Sequence, residues 1–226
     1  FLLLVMPFAG VRLPRTASGW WTLTVVAVLG MVAPMQLIAW GQQHIGSAET
    51  GVLMAISPLV VYTLAHFFLP GERLSAWRLG GFLFGFAGVV LVIGPERFST
   101  QLGSTELLGA LAVLGAAVCY SANSVYARRA ARQQPLALAT GMMLVATLLC
   151  LPPGLVSLPG LEAPPPPAAL IAVLILGLVS TGFASLLYFR LVQGPGPVFL
   201  SLTTYLVPAW AVFAGALVLR ERLDAG

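Results

Sequence analysis

The stretch GVLMAISPLVVYTLAHFFLPGERL, residues 51–74, decides the fold once it is laid against SLTTYLVPAWAVFAGALVLRERL, residues 201–223. Pro58 falls on Pro208, and Glu72-Arg73-Leu74 falls on Glu221-Arg222-Leu223. The match continues outward more weakly. Leu29-Gly30-Met31-Val32 meets Leu176-Gly177-Leu178-Val179, Gln43 meets Gln193, and Pro7 meets Pro152, with an offset that stays between 145 and 150. Such a duplication pairs the first full apolar run of the chain with the sixth, and the second with the seventh. The repeat unit is therefore five helices. Five is odd, so the two copies run oppositely through whatever they cross, which is the inverted-repeat architecture of secondary transporters.

Composition says what they cross. Of the 226 residues, 59% are hydrophobic and 8% are charged, with a mean hydropathy of +0.97. A soluble domain carries about 25% charged residues, and disorder requires low hydrophobicity, so both classes are excluded. Residues 16–48, 50–71, 79–95, 107–127, 133–161, 163–189 and 191–219 contain no Asp, Glu, Lys or Arg. Each run approaches the roughly 20 residues that span a bilayer, and a charge at the centre of a span costs about 2.5 kcal/mol or more. Seven full helices are predicted, at about 20–43, 48–69, 76–95, 107–127, 136–158, 168–190 and 196–219. The fold class is an all-α polytopic membrane protein with an inverted 5+5 repeat. Residues 1–95 form the first copy and 107–226 the second. The apolar stub FLLLVMPFAG reads as the tail of a cut span, so the first and tenth helices are expected to lie beyond this chain.

Charge gives the orientation. The net charge is +4, and all 11 basic residues are arginine. Alternate loops hold Arg12, Arg15, Arg73, Arg78, Arg128, Arg129, Arg132 and Arg190 on one side, and Arg97, Arg220 and Arg222 on the other. The positive-inside rule puts the larger set in the cytoplasm. Arg220 and Arg222 break the pattern because they belong to the inverted copy of a cytoplasmic loop. The arginines sit in loops and form no stripe, so nucleic acid is excluded as a partner. A lysine-free, Ala- and Arg-rich composition suggests a GC-rich bacterial genome and an inner-membrane location. Cys119 and Cys150 lie in separate spans and read as packing residues.

The mid-span proline, the GERL at 71–74, the glycine-rich GGFLFGFAGVVLVIGP at 80–95 and CYSANSVYARR at 119–129 together resemble an EamA-type protein of the drug/metabolite transporter superfamily. The second half repeats the pattern with RERL at 220–223. The resemblance covers essentially the whole chain. It implies ten helices with both termini cytoplasmic, and export or facilitated movement of amino acids, metabolites or drugs. The departures are the end helices and Arg220, where the family usually has glycine.

Several residues are candidates for the pathway. Gln36 and Trp40 lie one turn apart. Tyr120, Asn123 and Ser124 share a face, as do Thr181, Ser185 and Tyr188, while Thr204, Tyr205 and Trp210 fall on the last span. In hydrocarbon such groups turn inward, either to a cavity or to another helix. The pathway is placed between the halves, lined by Gln36, Trp40, Asn123, Tyr188, Tyr205 and Trp210. Pro58 and Pro208 each remove a backbone hydrogen bond; each is a packing kink or a hinge. Glu49, just after Ser47, caps a helix N-terminus or gates the outer mouth. His66, near the cytoplasmic end of its span, bonds backbone or headgroups, or couples protons. Gly81, Gly85 and Gly88 form a small-residue stripe for close packing.

A small-molecule transporter working by alternating access is the reading these features support best. The alternatives are a non-transporting scaffold or receptor and a membrane-embedded enzyme; the enzyme would need a constellation of reactive side chains, and with two histidines and no HExxH none is visible. The expected partners are a small solute and the lipid bilayer, with the protein a monomer or weak homodimer. No cofactor and no metal are expected. The span interiors lack carboxylates, so facilitated diffusion or exchange is expected rather than ion coupling, unless His66 or a further helix supplies the coupling group.

Overall fold

The computed structural model describes residues 2–93, 104–130, 133–157 and 166–214. Arg97, Arg132, Glu162, Arg220 and Arg222 lie outside the described residues, and with them much of the loop-charge pattern. Among the described residues the regular elements are helices. They are α1 (Leu2–Phe8), α2 (Ala17–Gly41), α3 (Ser47–Met54), α4 (Ser57–Phe68), α5 (Ala76–Ile93), α6 (Ser104–Arg129), α7 (Pro135–Ser157), α8 (Pro167–Gln193), α9 (Pro197–Ser201) and α10 (Thr203–Ala214). Five stretches of 22–27 residues are long and apolar enough to cross a membrane: α2, α3 with α4, α6, most of α7, and α8. Ala76–Leu91 and Pro197–Val207 are shorter apolar helices at the other two expected positions. The chain is an all-α, multi-pass membrane protein.

Where helix ends differ from expectation, local chemistry accounts for it. α2 begins three residues earlier than expected because Thr16 caps it, its hydroxyl accepting from the Gly19 N–H at 3.2 Å. α6 extends past both ends of its charge-free core. Glu106 sits in its first turn and Arg128 and Arg129 in its last, each charge on the favourable end of the helix dipole. α8 starts on Pro167, where a missing N–H leaves no bond unmade.

Among the described residues four spans are irregular, a detail finer than the charge-free runs. α2 carries a π-helical turn at Val28–Val32, closed by a bond from the Ala33 N–H to the Val28 carbonyl. α8 carries another at Leu176–Phe183. These stretches overlap when the sequence repeat is applied, since Leu29–Val32 pairs with Leu176–Val179. The third irregularity is a break at Ala55 and Ile56, between α3 and α4. Pro58 has no N–H to give the Met54 carbonyl one turn back. The Ser57 hydroxyl donates to that carbonyl instead, at 2.7 Å. In the second copy a turn at Leu202 separates α9 from α10, and Pro208 lies inside α10 rather than at its start.

The described chain divides into two compact units, residues 1–34 with 123–197, and residues 35–122 with 198–226. Each unit draws on both halves of the sequence, and the divisions at Pro34 and Ala122 fall inside α2 and α6. In the first unit α2 packs along α7, with Leu23, Val26, Leu138, Phe189 and Val192 fully buried. A Cβ on Gly141 would stand 2.4 Å from the Leu23 side chain, so glycine sets that approach. In the second unit Val52, Ala55 and Val89 form a cluster covered by Phe86, Val90 and Tyr205. There Gly41 and Gly109 bring two backbones together: a Cβ on Gly41 would lie 2.9 Å from the Gly109 carbonyl. The expected glycine stripe behaves differently. Gly81 and Gly88 have nothing described within 4 Å, and only Gly85 is packed, under the Tyr205 ring.

Candidate functional site

The first unit brings two of the expected pathway residues into contact. Asn123, on α6, is 2% exposed, and its Nδ2 donates to the Tyr188 hydroxyl at 3.0 Å. The amide rests against Gly30, at the π-turn of α2, where a Cβ would come within 2.6 Å of Nδ2. Oδ1 of Asn123 is buried and has no hydrogen-bond partner among the described residues. Tyr188 follows the π-turn of α8 by five residues and meets Phe189 edge-on at 5.1 Å. Thr181 and Ser185, expected on the same face, donate within their own helix. Thr181 bonds the Leu176 carbonyl at 3.1 Å, five residues back across the π-turn, and Ser185 bonds the Thr181 carbonyl at 2.6 Å.

One end of this unit is tied by Arg128, which the sequence offered only as a topology marker, and by Gln193. Arg128 donates to the carbonyls of Val192, Gln193 and Gly194, where α8 ends. A cation there satisfies carbonyls with no partner of their own and complements the dipole. Gln193 donates to the Gln133 carbonyl at 2.8 Å. An apolar hollow of about 300 Å³ borders the α8 π-turn, lined by Thr140, Met143, Thr147, Gly177 and Gly182 among others.

The second unit holds the other four pathway candidates. Gln36 and Trp40 are exposed on α2, and Trp40 packs on the His44 ring at 4.5 Å. Tyr205 donates to the Phe82 carbonyl at 3.0 Å, joining α10 to α5. Trp210 presents 68% of its surface. Near the α3–α4 break an entirely apolar hollow of about 250 Å³ is lined by Val52, Leu53, Ile56, Phe86, Val90 and Leu114.

Glu49 and His66 have backbone partners. The Glu49 carboxylate accepts from the Gly46 N–H at 2.9 Å at the start of α3. His66 Nδ1 lies 3.1 Å from the Glu72 carbonyl and 3.4 Å from the Leu74 nitrogen. One turn earlier the fully buried Tyr62 donates to the Arg73 carbonyl at 2.9 Å and accepts from the Ser75 N–H at 2.7 Å. Tyr62 and His66 thus hold the backbone of the GERL loop against α4. Tyr62 drew no attention in the sequence; its signal was a polar side chain one turn before His66 on a helix leading into a charged turn. Among the described residues no group of three or more His, Cys, Asp or Glu side chains could hold a metal ion.

The fold and these elements define a helical multi-pass membrane protein, and comparison with known proteins gives its family. The EamA-like transporter family matches residues 1–94 and 107–226. The chain belongs to that family, whose members move small solutes across membranes. It is 26% identical over 211 residues to the uncharacterized transporter YoaV of Bacillus subtilis, covering 88% of this chain and 68% of that protein. It is 38% identical over 85 residues to the aromatic amino acid exporter YddG of Ancylobacter novellus, covering 38% of this chain and 29% of that protein. A solved crystal structure shares the fold with a TM-score of 0.80 at 23% identity, over 99% of this chain and 77% of that one.

Proposed function

We propose that the protein exports or exchanges small organic solutes of the amino-acid kind across the bacterial inner membrane, by alternating access between inverted halves. The observation that carries this is the pair of π-turns at repeat-equivalent positions, Val28–Val32 and Leu176–Phe183, in a chain of the EamA-like family. Helix irregularities survive in a membrane where they face protein or a wet cavity, and carriers place solute sites at such points in both halves. The pathway is lined by Gln36, Trp40, Asn123, Tyr188, Tyr205 and Trp210, with bending at Pro58 and Pro208. The exporter YddG supports an amino-acid solute with an aromatic group. The backbone bonds of Glu49 and His66 support structural duties for both, a helix cap and a loop clasp. With no carboxylate in the interior of a described span, movement runs down the solute's own gradient or by exchange.

Reconstituted proteoliposomes loaded with labelled L-phenylalanine test this. Efflux above protein-free vesicles, accelerated by unlabelled solute outside and insensitive to an imposed pH gradient, is the expected result. Absence of flux overturns the transport reading. Gradient-driven accumulation lost in Glu49→Gln or His66→Ala overturns the uncoupled mode.

A further inference from the structure

Asn123 is 2% exposed, and the two ends of its amide are treated differently. Nδ2 has the Tyr188 hydroxyl at 3.0 Å, whereas Oδ1 is buried with no hydrogen-bond partner among the described residues. A buried acceptor left unmatched is costly, and more so in a medium of low dielectric constant. Burial in this part of α6 does not by itself strand polar groups: Ser121, 1% exposed, donates to the Ala117 carbonyl at 2.7 Å and approaches the Ser57 carbonyl at 3.3 Å. The amide as a whole lies against the α2 π-turn, with Nδ2 2.6 Å and Oδ1 3.1 Å from where a Gly30 Cβ would stand. A π-turn takes a carbonyl out of the regular helical ladder, and such turns recur at functional sites.

We infer that Asn123 Oδ1 is the receiving atom for an N–H donor, an ammonium or primary amine, carried by the transported solute. This rests on the transport reading above and names the part of the solute that the protein recognises. An amide oxygen only accepts, so its occupant must donate. No carboxylate lies in the interior of a described span, so the positive charge meets a neutral amide oxygen whose nitrogen is held by the Tyr188 hydroxyl. Binding of that kind is weak enough to let the solute leave. Gly30 is the positioning residue, since any side chain there would push the amide away.

The test uses the protein in lipid nanodiscs and follows tryptophan fluorescence during titration with L-phenylalanine and with 3-phenylpropionate, which lacks the ammonium. The wild type should prefer phenylalanine by about 10- to 100-fold, the span of one hydrogen bond to a charged group. Asn123→Leu should erase the preference while leaving 3-phenylpropionate binding intact. Gly30→Ala should do the same although it alters no polar group, with melting curves showing that both variants fold. No phenylalanine binding overturns the inference, as does a preference that survives both variants, the result a resident water on Oδ1 would give. Vesicles without solute flux, made from protein that keeps the preference, would refute transport and leave the amine site standing.

Discussion

Substituting Gly109 by alanine tests the backbone contact on which the second unit is built. A Cβ at Gly109 would stand 2.9 Å from the His44 Cβ and 3.1 Å from the Gly41 carbonyl oxygen, against 3.4 Å for an ordinary contact. Both neighbours are backbone or fixed to it, so α2 and α6 would have to part by about 0.5 Å at the crossing. Overpacking of this order costs about 1–3 kcal/mol. Alanine also returns about 0.5–1 kcal/mol of helix propensity, which obscures the absolute value. The comparison with Gly81→Ala, on α5 with nothing described within 4 Å, cancels that gain. The difference between the two variants should be about 1–3 kcal/mol, roughly 5- to 150-fold in the folded-to-unfolded ratio. Unfolding in mixed micelles by increasing SDS, followed by tryptophan fluorescence, measures it. Equal stability of the two variants, or a weaker Gly81→Ala, would refute the close crossing and return the packing role to the α5 stripe.

Three further outcomes follow from the geometry. Tyr62→Phe removes both bonds to the loop backbone, so residues 70–75 should be cut faster by protease while solute binding in the first unit is unchanged; an unaltered cleavage rate would mean the clasp is idle. Arg128→Ala strips three carbonyls at the end of α8 of their shared donor and should lower stability by about 1.5–3 kcal/mol, with Arg128→Lys recovering part of it because one charge cannot reach all three at once; a neutral Arg128→Ala in a thermal melt would count against the cap. Single cysteines at Arg129 and Glu162 should label from opposite faces of intact cells, as the arginine distribution requires; labelling from one face would sink the inverted topology.

The spans were legible in the sequence because a charge inside hydrocarbon is costly enough to be absent, and absence over 17 residues or more can be read without neighbours. The alignment of the two halves rests on Pro58 and Pro208, whose trailing ERL triplets are rare enough to pair in the sequence. The π-turns were not legible, since one extra residue in a helical turn leaves no mark in VLGMV or LGLVSTGF. Glycine spacing is limited for a related reason. Spacing says that a helix can be approached closely, but not that another arrives, and the actual crossing joins Gly41 to Gly109, 68 positions away. The face assigned to Thr181 and Ser185 did not reveal their bonding, because whether a hydroxyl turns outward or back to its own helix depends on the carbonyls left open there. Asn123 was among the pathway candidates; its bond to Tyr188, 65 residues on, depends on how α6 and α8 pack.

The two bonds around Ser57 differ in when they can form. As a membrane protein is synthesised, each span enters the bilayer before the later ones exist. A carbonyl opened by Pro58 would meet acyl chains with no partner at a cost of several kcal/mol. Ser57 lies three residues from Met54 and emerges with it, so its hydroxyl covers that carbonyl at the moment of insertion. The bond from Ser121 to the Ser57 carbonyl spans 64 residues and must wait for α6. A serine just before the proline therefore makes the broken span acceptable to the insertion machinery by itself, and Ser57→Ala would appear first as poor membrane integration during synthesis, before any loss in the finished protein.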